Sequence, residues 1–395
     1  MADFPMTSRE RVMMALSHRE PDRVPYDIGG VGPSGFSIGA YENLLKHVKW
    51  DEKAEIGDVS FQRAKLSEAF LREFQVDTRA LIARAQESWK LNIQTEGDFF
   101  FFFDEWGVGS KMPRVNGLNY FIYHHPLAAV ETDHLARYPW PDPNDPRRLE
   151  GLVEEARSQR EKSNPALVFG GAFSLGLLQF GATLEGMDRF FMNFFLDPYR
   201  VEWVLDKLLE LKMSFYLWAL EKLRGWIDVV FMGDDFGHQQ SQWISPDMFR
   251  KFIKPRYAEL LRTIKKRFEV KVLLHSDGAI YPFLPDIIEM GFDVLNPIQL
   301  GAKGMGDTGK MKREFGDGLC FWGGGIDVQQ FLPIATPRMI EEEVKRRIED
   351  LAPGGGFVFT TTQTIQPDIP PENFIAMWKA VQRYGRYPLG QKSAE

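Results

Sequence analysis

What most constrains this chain is a repeated unit: a short apolar run that ends in Gly, Asp, His or Gln, followed by a stretch patterned for a helix. Strand candidates fall at 23–30, 78–82, 166–171, 229–235, 270–277, 294–299, 319–324 and 357–363. They read as nearly continuous apolar runs, as strands do when a parallel sheet is covered on both faces. Eight such units predict an α/β fold, a (β/α)8 TIM barrel with its site at the carboxyl ends of the strands. An open doubly wound sheet is the structural alternative, but no G-x-G-x-x-G follows a first strand.

Local patterns fill in the rest. Helical patterning covers 7–18, with Ser8 as its cap, and recurs over 40–48, 61–74 and 373–384. Residues 84–138 break the alternation. Phe99 to Phe103, the DEWG of 104–107 and Asn119 to Tyr123 read there as β-hairpins, making a β-rich insertion between the second and third strands. Residues 1–395 are expected to form a single domain that carries this insertion, which covers the barrel mouth, makes a homodimer contact, or both.

Bulk properties exclude several function classes. With 48 basic and 55 acidic residues and no long basic run, the chain is not expected to bind nucleic acid. No 18-residue apolar window marks a membrane span, and the first 23 residues lack the apolar core of an export signal. Cys320 is the one cysteine, which rules out a disulfide framework or a multi-Cys zinc site and fits a cytoplasmic location. Aromatic residues are plentiful enough, at 13%, to line an apolar pocket as well as a core.

The strand ends hold the chemistry. In KVLLHSDG (271–278), residues two apart share a face, so His275 and Asp277 project into one space while Ser276 looks away. The preceding strand ends in Asp234 and Asp235, of which only one can face inward. One imidazole and the neighbouring carboxylates form a candidate metal set of His275, Asp277 and Asp235, or a proton relay. The alternative is that an aspartate of the pair caps the following loop and Asp277 merely orients His275. Gly323-Gly324-Gly325 either admits a ligand, with Asp327 beside it, or is a tight turn that Asp327 caps. Asn296, Gln299 and Gln363 offer amide groups, and His238 is either a substrate contact or a solvated loop residue. The loop over 29–39, which includes Phe36, has no Lys, Arg or His and suits an uncharged ligand better than a polyanion.

Several stretches together resemble the uroporphyrinogen decarboxylase superfamily, in particular its corrinoid-dependent methyltransferase branch. They are RERVMMALSHREPDRVP, DEWG, YPWPDP, GDDFG with the following ISPDMFRKFIKPR, HSDG, DVLNPIQ, FWGGGID and IQPDIPPEN. The resemblance implies a (β/α)8 barrel, a corrinoid (cobalamin) carried by a partner protein, and a metal site. Family decarboxylases hold a polycarboxylate with an arginine-bearing loop after the first strand, and 29–39 has no arginine. Family methyltransferases acting on a thiol use zinc bound by His-x-Cys and a distant Cys. Here His275 stands at the histidine position, Asp277 replaces the first cysteine, and Gln363 stands in place of the second. A harder N/O donor set points to oxygen chemistry. The expected activity is transfer of a methyl group from a small methoxylated, aromatic substrate to the corrinoid protein, with Zn2+ at His275, Asp277 and Asp235. Decarboxylation of a smaller acid and a non-catalytic ligand-binding barrel are the alternatives.

Overall fold

The computed structural model describes residues 6–389. Among the described residues, thirteen strands follow one another. A two-stranded antiparallel hairpin comes first, β1 (Glu55–Asp58) and β2 (Arg63–Lys65), and β3 (Thr78–Ala83) follows it. Next comes a four-stranded antiparallel outer sheet, β4 (Gln94–Glu96), β5 (Phe99–Phe103), β6 (Gly109–Pro113) and β7 (Phe121–His124). The remaining strands are β8 (Ala166–Gly171), β9 (Val229–Gly233), β10 (Lys271–His275), β11 (Val294–Asn296), β12 (Cys320–Trp322) and β13 (Phe357–Val358). A seven-stranded parallel sheet runs β13-β12-β11-β10-β9-β8-β3, in sequence order from one edge to the other, with helices in the connections. This is the order of a TIM-type fold.

The expected first strand, 23–30, is not a regular strand. Tyr26 makes a single parallel bridge to Phe359, with Asp27 N–H donating to the Phe359 carbonyl at 3.0 Å and Phe359 N–H to the Pro25 carbonyl at 2.8 Å. On its other side the Tyr26 carbonyl accepts Asp77 N–H at 2.8 Å, while Tyr26 N–H donates to the Asp77 carboxylate. Pro25 has no N–H to give and Asp77 uses a side chain where a ladder needs a carbonyl, so two edges meet here without a regular ladder.

Strand parity decides what faces inward. Val229, Leu273, Val294, Cys320, Trp322 and Val358 pack into one buried cluster with Val12 of the N-terminal helix Ser8–Ala15 and Leu16 at its C-cap. That helix is capped by Thr7 rather than Ser8, in a capping box with Glu10. Because alternate residues share a face, Phe231, Gly233 and Asp235 follow Val229 inward, and His275 and Asp277 follow Leu273. β9 and β10 are in register, with His275 opposite Gly233.

The outer sheet is held to the body by Trp106. Its ring is buried edge-on against Phe180 and Phe173, with centroids at 4.7 and 5.2 Å. Next to it Glu105 and the fully buried Arg148 form an ion pair at 2.8 Å. Gly107 turns the loop at a φ of +75°, which a glycine adopts without strain.

The first hairpin corrects the helical reading of 61–74. Only Glu68–Glu73 is helical, and Arg63 lies in β2. Ala64 N–H donates to the Phe36 carbonyl, and Tyr120 N–H from the outer sheet donates to the Ser60 carbonyl, both at 2.9 Å. Contacts far away in sequence thus overrule a local helical period.

Candidate active site

A cavity of about 590 Å³ opens at the carboxyl ends of β9 and β10. Its floor is His275, Asp235 and Asp277, with Gln179 and Gln363 beside them. Its walls come from the first hairpin (Phe61, Arg63) and the outer sheet region (Asp104, Tyr120, Phe121), together with Phe180 and Phe231. The outer sheet therefore lines the mouth of the cavity.

His275 is oriented by a relay. Its Nδ1 lies 2.7 Å from Asn296 Oδ1, and the Asn296 amide in turn donates to the Trp322 carbonyl at 2.6 Å. Since that donation fixes which end of the amide is oxygen, Nδ1 carries a proton, and Nε2, which holds the lone pair in the neutral ring, faces the cavity. Nε2 stands 3.7 Å from Asp277 Oδ2 and 3.9 Å from Asp235 Oδ1. The Phe231 ring stacks on the imidazole, with centroids at 6.0 Å.

The two carboxylates differ in their support. Asp235 accepts Asp277 N–H at 2.9 Å on one oxygen and the Gln179 amide at 2.7 Å on the other. Asp277 accepts only the Gln363 amide, at 2.5 Å, and its Oδ1 is buried with no partner. Burial pushes the Asp277 carboxyl up to about 6, with His275 pulling it down and Asp235 pushing it further up. One donor atom each from His275, Asp235 and Asp277 lies within 4.8 Å of the others. A nitrogen and two carboxylate oxygens, with the unpartnered Oδ1 of the Asp277 carboxylate beside them, fit a divalent ion of zinc type.

A family profile described as uroporphyrinogen decarboxylase (URO-D) matches residues 104–384, which include every floor residue. The chain belongs to the uroporphyrinogen decarboxylase family. Curated family members named uroporphyrinogen decarboxylase align at low identity. The protein from Alkalilimnicola ehrlichii is 25% identical over 281 residues, covering 69% of this chain and 72% of its own length. That from Geobacter sulfurreducens is 23% identical over 278 residues, covering 70% and 76%. Among solved structures, a methyltransferase from Methanosarcina mazei superimposes with a TM-score of 0.63 at 20% identity, over 95% of this chain and 98% of that one. This likeness shows that the two share a fold.

Within this family fold, the residues singled out from sequence part company. His275, Asp277, Asp235 and Gln363 meet at the floor, and Asn296 stands behind His275. Asp234 does not reach the cavity. It is fully buried on the opposite face, where its carboxylate accepts the N–H groups of Leu177, Leu178 and Gln179 and the Tyr257 hydroxyl at 2.7–3.0 Å. It thus holds the start of helix Leu178–Glu185, which carries Gln179. Phe36 is buried among Tyr41, Phe70 and Phe374 and lines no part of the cavity. Gln299 accepts Gly278 N–H at 2.6 Å and so shapes the turn after Asp277. Asp327 accepts the N–H groups of Gln329 and Gln330, the tight-turn alternative for GGGID. His238 is exposed, bonded to Ser241 and packed on Trp243.

Asp104, Arg63 and Gln179 are among the cavity residues not foreseen from sequence. Asp104 accepts Trp106 and Val108 N–H, both at 2.9 Å, and burial pushes it up to about 6. Its place in DEWG was the available signal. Arg63 was hidden in a helical pattern, and nothing local marks Gln179.

Proposed function

We propose that this protein moves a methyl group from a small methoxylated compound, aromatic in character, to a reduced corrinoid carried by a separate protein. The observation that carries this reading is the floor: an imidazole lone pair and two carboxylates, with no thiolate, beneath walls of Phe and Tyr. Such a donor set matches an ether oxygen better than a thiol. The fold shared with a methyltransferase supports it.

In this reading the aromatic walls bind the ring and turn the methoxyl oxygen toward His275 and Asp277. The C–O bond breaks as the corrinoid, which supplies the nucleophile, takes the methyl group. The oxygen left behind gains a proton. Asp277, protonated below about 6, is placed to give it. Asp235 holds Asp277 through its main-chain N–H and Gln179 holds Asp235. If a divalent ion is resident, His275, Asp235 and Asp277 hold it, and it supplies Lewis-acid polarisation of the ether oxygen. We take residues 1–395 as one catalytic unit with 84–138 as its insertion, acting in the cytoplasm where Cys320 stays reduced; no described helix is long and apolar enough to cross a membrane.

The test is methyl transfer from a panel of methoxylated compounds to a supplied reduced corrinoid protein. Failure across the panel sinks the reading. Metal analysis of the wild type and of a His275→Ala/Asp277→Ala double variant separates the two routes for the oxygen, since equal, negligible metal in both leaves acid catalysis alone. A second reading, decarboxylation of a small acid, rests on the names of the curated relatives. It predicts carbon dioxide release by the protein alone.

A further inference from the structure

The cavity has an uneven charge plan. Three carboxylates line it, those of Asp104, Asp235 and Asp277, and one cation, Arg63. Arg63 makes no ion pair with any of the three. Among the described residues its carboxylate partner is Asp58, outside the cavity, at 2.5 Å from Nη2. The guanidinium has five N–H donors in a planar fork, so most remain free for a ligand. Its Cζ lies over Phe61, 4.6 Å from the ring centroid, and its side chain is 16% exposed. It also lies against Gly32, where an added Cβ would come within 3.3 Å of Nη1. A guanidinium held in a cavity wall by Asp58 and Phe61 is an arrangement that recognises a planar oxyanion. The hairpin that carries it precedes the residues matched by the family profile.

We infer that Arg63 is the specificity-determining residue for a substrate bearing one carboxylate, held at the hairpin wall away from the floor. The inference rests on the methyl-transfer reading for which end of the substrate reacts, and not for binding itself. Placing the carboxylate at Arg63 keeps it away from Asp235 and Asp277, which repel it, and leaves the methoxyl end for His275. One guanidinium with N–H donors left over from its pair with Asp58 matches one carboxylate and not a polycarboxylate. The absence of basic residues in 29–39, taken from sequence to favour an uncharged ligand, is thus offset by a cation brought over that loop from β2.

The test is calorimetric binding of 4-methoxybenzoate and its neutral isostere 4-methoxybenzamide to the full-length protein, with no corrinoid present. The wild type should bind the acid at least tenfold more tightly than the amide, and this preference should shrink as salt is raised. Arg63→Gln should bring the ratio to about one, and Arg63→Lys should keep part of it. A wild-type ratio of one or less, or an unchanged ratio in Arg63→Gln, overturns the inference. The wild-type ratio and its salt dependence decide the matter even where a variant folds poorly. The parent reading fails separately: an Arg63-dependent preference without methyl transfer defeats methyl transfer alone, whereas equal methyl transfer from acid and amide defeats the role of Arg63 alone.

Discussion

The floor and the wall of the cavity are built by opposite means. The floor comes from consecutive strand ends in register: the β9–β10 ladder places His275, and Asp235 and Asp277 follow directly beyond it, tied by the Asp277 N–H to the Asp235 carboxylate. The wall comes from a hairpin and an outer sheet attached through a few side chains, Trp106 and the Glu105–Arg148 pair among them. A site on barrel strands is rigid and holds the chemistry, while loops and appended sheets set what may enter. The division implies that floor substitutions change the rate, and wall substitutions change binding and stability.

The largest effect is expected of His275→Ala. Removing the one imbedded imidazole should lower the methyl-transfer rate by on the order of 10³-fold while leaving substrate binding within a few-fold, measured as kcat against KM. A rate within tenfold of wild type would mean that the floor does not carry the chemistry.

Asp277→Asn comes next, with an expected loss of about 10²-fold. Its pH behaviour separates the two roles for the carboxyl. Acting as the acid, Asp277 must be protonated, so kcat/KM is highest below about 6 and declines as pH rises through it; acting as a metal ligand, it must be ionised, and activity rises over the same interval. The effect on stability of the metal-free protein has its own sign. The folded value lies above the ordinary 3.8, so the native state loses stability as pH rises from about 4 to 6 and stays penalised above that. Asp277→Asn should therefore raise the unfolding free energy at pH 8, by on the order of 1–3 kcal/mol, and leave it unchanged near pH 3.5. Chemical unfolding at the two pH values checks this.

The same contrast explains what the sequence could reveal. His275 and Asp277 were legible because a strand alternates faces, and the run KVLLHSDG declares itself as a strand. The choice between Asp234 and Asp235 was not, since neighbouring residues always point opposite ways and only the register of β9 against β10 says which is inward. The seven ladder strands were legible as apolar runs; the eighth, around Tyr26, looks like a strand but meets Pro25 and the Asp77 carboxylate where a ladder needs backbone groups. Arg63 was illegible. Phe61, Ala64, Leu66, Phe70, Leu71 and Phe74 repeat at helical spacing, and the hairpin forms instead through bonds to Phe36 and Tyr120, partners that no local window contains.

Trp106→Ala tests the wall. The lost ring is almost fully buried, and its removal should cost about 3–5 kcal/mol of stability by the general cost of truncating a core aromatic. Because Trp106 holds the sheet that lines the cavity mouth without touching the floor, KM should rise by about tenfold and kcat should fall far less. A variant with normal KM and a collapsed kcat would show that the outer sheet takes part in the chemistry, and the division between floor and wall would be lost.

The smallest expected effect belongs to His238→Ala. Its ring lies only three residues beyond Asp235, on the same loop, and proximity in sequence made it a candidate for substrate contact. Proximity in space argues otherwise. The ring is exposed, bonded to Ser241 and tilted on Trp243, and it contributes nothing to the cavity lining. Methyl-transfer rates should stay within about twofold of wild type and stability within about 0.5 kcal/mol, as for a surface residue without a buried partner. A tenfold loss of kcat/KM would mean that this loop folds over the cavity during turnover, extending the working site beyond the strand ends that define the floor.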